Sequence, residues 1–305
     1  MKKLSITWND VFDSTGYLFS FAKCLSAALK HSPYADKAED IVASSGFAFR
    51  MWAAPQLCPS ATSIWEFAKQ KPWVENGGIS CGYIQRLWNE EAEEQAKREE
   101  ATELILQSID RGVAAVVWNI GMAEWGLVTG YDREKRMFYT LDVAGKEGEL
   151  PFALLGKGDI PILNVLTVQG KTDKTQEEIM ADTKRLAAAH LQGKEWSSSN
   201  PKGLAVYSVL EDYLGGSFQP ALLWNLTYYL GTYGALKWYA WQFFNRYGET
   251  KLAELYHDIW QAWQQAFERL DEEKMKNAAY RAEVRGLLSR AFETEKEALQ
   301  LMLSE

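Results

Sequence analysis

Apolar residues fall at helical spacing near the start of the chain. Leu18, Phe19, Ala22, Leu25 and Leu29 repeat every three to four positions, which predicts a first long helix from Asp13 to about Lys30. Ser14 or Thr15 stands where a cap belongs, with Gly16 in the first turn. "HSPYAD" ends that pattern. A short helix is expected over 37–44, then "SSGFAFRMW", an apolar segment hinged on Gly46. Residues 54–63 read as a loop, 64–70 as a short helix, and "KPWVENGGISCGY" as a second loop rich in turn formers. Residues 89–112 carry acid and base pairs four apart, an apolar finish and Gly112 as a stop, and predict a long helix.

The periodicity then shortens. Segments 113–120, 125–132, 137–143 and 162–169 read as strands, with "DREK" as the turn between the second and third. Such short connections imply antiparallel neighbours, because parallel strands need a long crossover. Residues 1–170 therefore predict an α+β domain. From the polar stretch "GKTDKTQEE" onward the pattern is helical: 176–192, 203–214, 221–247, 250–270 and 277–302. In the fourth of these Leu252, Leu255, Tyr256, Ile259, Trp263, Phe267 and Leu270 form one stripe. Residues 171–305 predict an all-α domain, with 192–203 as a loop.

Composition narrows the function classes. The 305 residues are 47% apolar and 24% charged, as in globular chains with a sizeable core. A net charge of −8 disfavours nucleic acid and anionic membrane surfaces as partners. No secretory leader and no membrane span is read, and a cytoplasmic location is expected. Three cysteines without paired spacing (Cys24, Cys58, Cys81) argue against a disulfide framework. Three scattered histidines give no zinc motif, and neither a calcium loop nor a phosphate loop occurs. No cofactor and no metal is expected.

The stretches "DIVASSGFAFR", "ELILQSIDRGVAAVVWNI" and "EWGLVTGYDREKRMFYTLD", followed by a helical tail opening on "GLAVYSVLEDYL", resemble the butirosin biosynthesis protein H family. The N-terminal domain of that family is similar to papain-like and bacteriocin-processing cysteine peptidases. The resemblance implies a papain-like fold followed by a helical domain. It also implies acyl or aminoacyl transfer, from a carrier-protein thioester to an amine, in specialised metabolism. A site of that type places a cysteine at the N-terminus of the first helix, a histidine opening a central strand, and an Asp or Asn ending the next strand. Carried onto this chain, the nucleophile position falls on Ser14 (or its neighbours Asp13, Thr15 and Gly16), the histidine position on Glu124, and the third position on Asp142. Only Asp142 keeps the expected type. Thr15, Gly46, Arg50 and Trp125 are further candidates for lining a cleft.

Several readings stay open for these residues. Ser14, Glu124 and Asp142 form a working nucleophilic site only if Glu124 is made less acidic, by burial or by a second carboxylate such as Asp142. Otherwise Ser14 is a helix cap, Glu124 an exposed carboxylate or a ligand for an amine, and Asp142 a turn former. In that case the chain is a non-catalytic binding protein for a small ligand or a carrier protein. Cys24 is expected to be a buried structural thiol. Cys58 and Cys81, on loops, leave room for a thiol hydrolase. The many aromatic residues of 224–263 read as a packed helical core, with some tryptophans free to stack on a ligand.

Overall fold

The computed structural model describes residues 1–16, 18–54, 56–59, 66–158, 160–194, 199–216 and 218–304. The helix expected over 64–70 and the loops over 54–63 and 192–203 lie partly outside the described residues. The chain is mixed α+β and packs into two compact units. Unit 1 comprises residues 1–12, 19–41 and 65–179; unit 2 comprises 13–18, 42–64 and 180–305.

Unit 1 is built on an antiparallel sheet. Its strands are β1 (Lys2–Lys3), β2 (Ile79–Arg86), β3 (Ala115–Trp118), β4 (Trp125–Asp132), β5 (Met137–Leu141), β6 (Glu147–Pro151) and β7 (Leu163–Lys171). They lie in the order β2-β7-β3-β4-β5-β6, with β1 paired to β4. β3 to β6 form the meander that the short connections demand. Helix α4 (Glu94–Asp110) covers one face, burying Ile105 and Ile109 against Ala115, Val117, Val128 and Val165. Helix α1 (Ser20–Lys30) covers the other, with the Phe21 ring 4.9 Å from that of Trp125. All eight residues of β4 are buried, which explains a nearly continuous apolar run in place of strict alternation.

Three strands differ from the sequence reading: the two-residue β1, β2 and β6. β2 arises where turn formers predicted a loop. Its Gly82 is the reason for both: a Cβ there would stand 2.5 Å from Leu104 of α4, so glycine is what lets the helix pack on the strand. Cys81 accordingly lies in a buried strand. β6 is an edge strand with exposed Glu147 and Glu149, and gives no apolar signal. The expected helix over 37–44 is a 3₁₀ turn followed by α2 (Asp40–Ser44). A short α3 (Gln70–Glu75) precedes β2.

Unit 2 holds α5 (Gln176–Leu191), α6 (Ala205–Gly215), α7 (Leu223–Arg246), α8 (Thr250–Glu268) and α9 (Ala278–Ser304). The boundaries follow the apolar stripes closely. Most of the aromatic residues are core: Tyr229, Tyr233, Tyr239, Phe243, Phe244, Tyr256 and Trp263 are buried, while Trp224 is exposed. One buried polar network ties four helices together. Lys237 Nζ lies 2.6 Å from Glu295 Oε1, and the Tyr207 hydroxyl donates to Glu295 Oε2 at 2.7 Å. Trp263 Nε1 donates to the Tyr207 hydroxyl at 2.8 Å, and the Tyr256 hydroxyl lies 3.4 Å from Glu295. Burial lowers the Lys237 pKa, and Glu295 opposes that shift.

No helix among the described residues is long and apolar enough to cross a membrane.

Candidate functional site

The first helix starts later than its apolar spacing predicts. Asp13 Oδ1 accepts the backbone amides of Thr15, Gly16 and Leu18, at 3.0, 3.1 and 3.1 Å. This side chain holds "DSTG" as a turn, a familiar competitor of helix initiation. Leu18 and Phe19 then take left-handed conformations (φ 38° and 51°), and α1 begins at Ser20. Ser14 therefore neither caps nor opens the helix. It is a half-buried residue of the preceding loop.

Ser20 occupies the helix start. Its Oγ donates to Glu124 Oε2 at 2.5 Å, and the amide of Trp125 donates to the same Oγ at 3.4 Å. The backbone amide of Ser20 has no acceptor among the described residues, as expected for the first residue of a helix. Glu124 is held by a tight turn before β4: Asn119 and Ile120 donate to its carbonyl at 2.9 and 3.3 Å, and its own amide donates to Met122 O at 2.7 Å. Burial raises the Glu124 pKa above the ordinary carboxylate range, and the Ser20 hydrogen bond works against that. Glu124 is thus neither solvent-facing nor ordinary in acidity. The required desolvation is present; the second carboxylate is not among the groups that shift it.

Asp142 is engaged elsewhere in unit 1. Its Oδ1 accepts the Lys146 amide at 2.8 Å, and its carbonyl accepts Trp8 Nε1 at 3.1 Å. It is a turn former of the β5–β6 hairpin, and its carboxylate lies against Gly121 in the loop that leads to Glu124. Trp125 is fully buried, with Trp118 and Phe67 at 5.3 and 5.6 Å between ring centroids, so it is core to the sheet face.

The remaining candidates pack within unit 2. The Thr15 hydroxyl is 3.4 Å from that of Thr232. Gly46 has φ 83° and lies against His190, and Arg50 is buried at 3% exposure.

Lys23 and Cys24 follow Ser20 within the first turns of α1. Lys23 Nζ donates to the Val143 carbonyl at 2.9 Å and sits 4.9 Å from the Trp8 ring. Cys24, one turn after Ser20, is fully buried. Burial pushes its thiol pKa strongly up, Glu124 pushes the same way, and Lys23 opposes. It is the inert structural thiol that its mid-helix position predicted. Cys81 is buried with a thiol likewise pushed up by burial, while Cys58 is exposed.

Sequence reasoning therefore missed Ser20. The signal was available in "DSTG", where Asp three residues before Gly reads as a turn as readily as a cap. The stripe of the true helix starts with Phe21.

No family model matches the chain, and no curated protein matches it.

Proposed function

We propose that this chain is a butirosin-H-type acyltransferase with a papain-like unit 1, in which Ser20 takes the nucleophile position and Glu124 the base position. The observation that carries this reading is the 2.5 Å contact between Ser20 Oγ and a desolvated Glu124 at the start of α1. A serine hydroxyl needs a base less acidic than an ordinary carboxylate, and burial moves Glu124 in that direction. The left-handed backbone before Ser20 sets up a sharp entry into the helix. A free amide at a helix N-terminus is a fitting donor for a developing oxyanion.

The corresponding reaction balances in two steps. Ser20 Oγ attacks the thioester carbonyl while its proton passes to Glu124. The carbon–sulfur bond breaks, and the thiol leaves with that proton. An amine then attacks the Ser20 ester. The carbon–nitrogen bond forms as Glu124 takes a proton from the amine, the bond to Oγ breaks, and Glu124 passes that proton to Ser20 Oγ.

A second reading is a non-catalytic protein for a small ligand or a carrier protein. Its support is that Ser20 is only 4% exposed and that Asp142 serves a turn. A fluorophosphonate probe separates the two. On the acyltransferase reading the wild type is labelled at Ser20, Ser20→Ala is not, and Glu124→Gln labels at least tenfold more slowly. Absence of labelling in the intact wild type rejects the nucleophile and leaves the binding role.

A further inference from the structure

Where the 119–121 loop meets β5 and β6, unit 1 holds a cavity of about 170 Å³. Asp142, Thr140 and Asn119 are among the residues that line it. Asp142 and Thr140 are only 6% and 7% exposed. Asp142 Oδ1 takes the Lys146 amide at 2.8 Å, but its Oδ2 has no hydrogen-bond partner among the described residues. The Thr140 hydroxyl and the Asn119 side-chain amide have none there either. A carboxylate oxygen withdrawn this far from water is costly without a donor.

Two glycines keep these oxygens uncovered. Gly121 lines the cavity at φ 75°, and a Cβ on it would stand 2.9 Å from Asp142 Oδ2. Gly148 lines it from β6, paired with Thr140, and a Cβ there would stand 3.0 Å from Thr140 Oγ1. The left-handed backbone of Gly121 calls for glycine in any case. Gly148 sits in a strand, where a missing side chain marks a close approach rather than an unusual conformation. Ile120 and Leu150 give the cavity an apolar wall.

We infer that this cavity binds the ammonium group of a small primary alkylamine. The three ammonium donors call for acceptors, and Asp142 Oδ2, Thr140 Oγ1 and Asn119 Oδ1 offer them. The alkyl stem lies against Ile120 and Leu150. A guanidinium fits less well, because its fork needs both carboxylate oxygens and Oδ1 is already taken. A metal ion fits less well, because an apolar wall stands where further oxygen ligands would be needed. Glu149 and Lys146 are exposed at the cavity edge, and Glu147 is paired with Lys3 at 2.8 Å. Asp142 is therefore the buried charge that a ligand meets. Thr140 is paired with Val128, which belongs to the core that α4 covers. The cavity thus lies on the α4 face of the sheet, whereas Ser20 belongs to α1 on the other face. The amine held here is not the one that attacks at Ser20, and the inference does not rest on the acyltransferase reading.

The test is a titration of the full chain with butylammonium chloride near neutral pH, where the amine is charged. Binding is read by NMR at the Gly121 and Gly148 backbone amides, with ionic strength held by sodium chloride. The expected result is a saturable shift, absent with butanol and with sodium alone, and unchanged in Ser20→Ala. Asp142→Asn keeps an acceptor for the Lys146 amide but loses the charge, and is expected to weaken binding about tenfold or more. Gly148→Ala is expected to keep Tm and weaken binding, because its Cβ covers the Thr140 hydroxyl. No saturable shift in the wild type overturns the proposal. An equal shift with butanol or with sodium alone also overturns it, as does unchanged affinity in folded Asp142→Asn. If Asp142→Asn does not fold, unchanged affinity in Gly148→Ala overturns it instead. Because Ser20→Ala retains binding, failure of serine catalysis and failure of this site are read separately.

Discussion

Ser20 and Glu124, 104 residues apart in the chain, share a 2.5 Å hydrogen bond at the junction of a helix start and a strand start. The contact places a carboxylate where water solvates it poorly. The folded state therefore holds the Glu124 proton more tightly than the unfolded chain does. That contribution to stability is fully present below the ordinary carboxylate range and is lost as pH rises through the raised pKa. Glu124→Gln, which imitates the protonated form, is expected to show a higher Tm than wild type near pH 7. The gap should close near pH 4, in the ordinary range for Glu. Thermal unfolding at the two pH values checks this; an equal gap at both would contradict it.

The Lys237–Glu295 pair has both side chains at 0% exposure. Removing one partner leaves a buried charge without compensation. Lys237→Met is expected to cost about 3–5 kcal/mol in urea unfolding. Lys237→Met combined with Glu295→Gln should recover much of that loss, since Gln still accepts from Tyr207 while carrying no charge. A single variant as stable as wild type would show that the pair is not held as an ion pair.

Gly46 has φ 83°, and a Cβ on it would stand 2.6 Å from His190 Nε2. Gly46→Ala is expected to destabilise by at least about 1–2 kcal/mol from the left-handed backbone alone, with the clash adding to it. Chemical denaturation measures the sum. If His190→Ala restores part of the loss, the contact is confirmed as its source.

The three thiols differ in reach. Cys24 and Cys81 are buried with their pKa values pushed up, and Cys58 is exposed. Native protein treated with a thiol-directed reagent near neutral pH should give one rapid equivalent, lost in Cys58→Ser, and three equivalents in denaturant. A second rapid equivalent in the native state would place one of the other two at the surface.

Much of the architecture was legible from apolar spacing. The helices of unit 2 and the meander from β3 to β5 bury regular stripes, so local pattern and tertiary demand agree. Where the two disagree, the pattern misled. Gly82 signals a loop but permits helix contact, and β6 at the sheet edge buries too little to show a period. In the site, Glu124 and Trp125 were legible because they open an obvious strand. Ser20 was not, because Leu18 and Phe19 carry the helical period one turn upstream of the helix itself.

The sequence by itself determined most of the helices of unit 2, the strands β3, β4, β5 and β7, and that the first half carries the sheet. Those properties depend on residue type and local spacing. Only the tertiary structure decided that Asp13 ties off the loop, that Ser20 and not Ser14 meets Glu124, and that Asp142 serves a turn. Each of these is a choice between partners far apart in the chain. Such choices are settled by register, burial and the need to pair polar atoms, which no local pattern encodes.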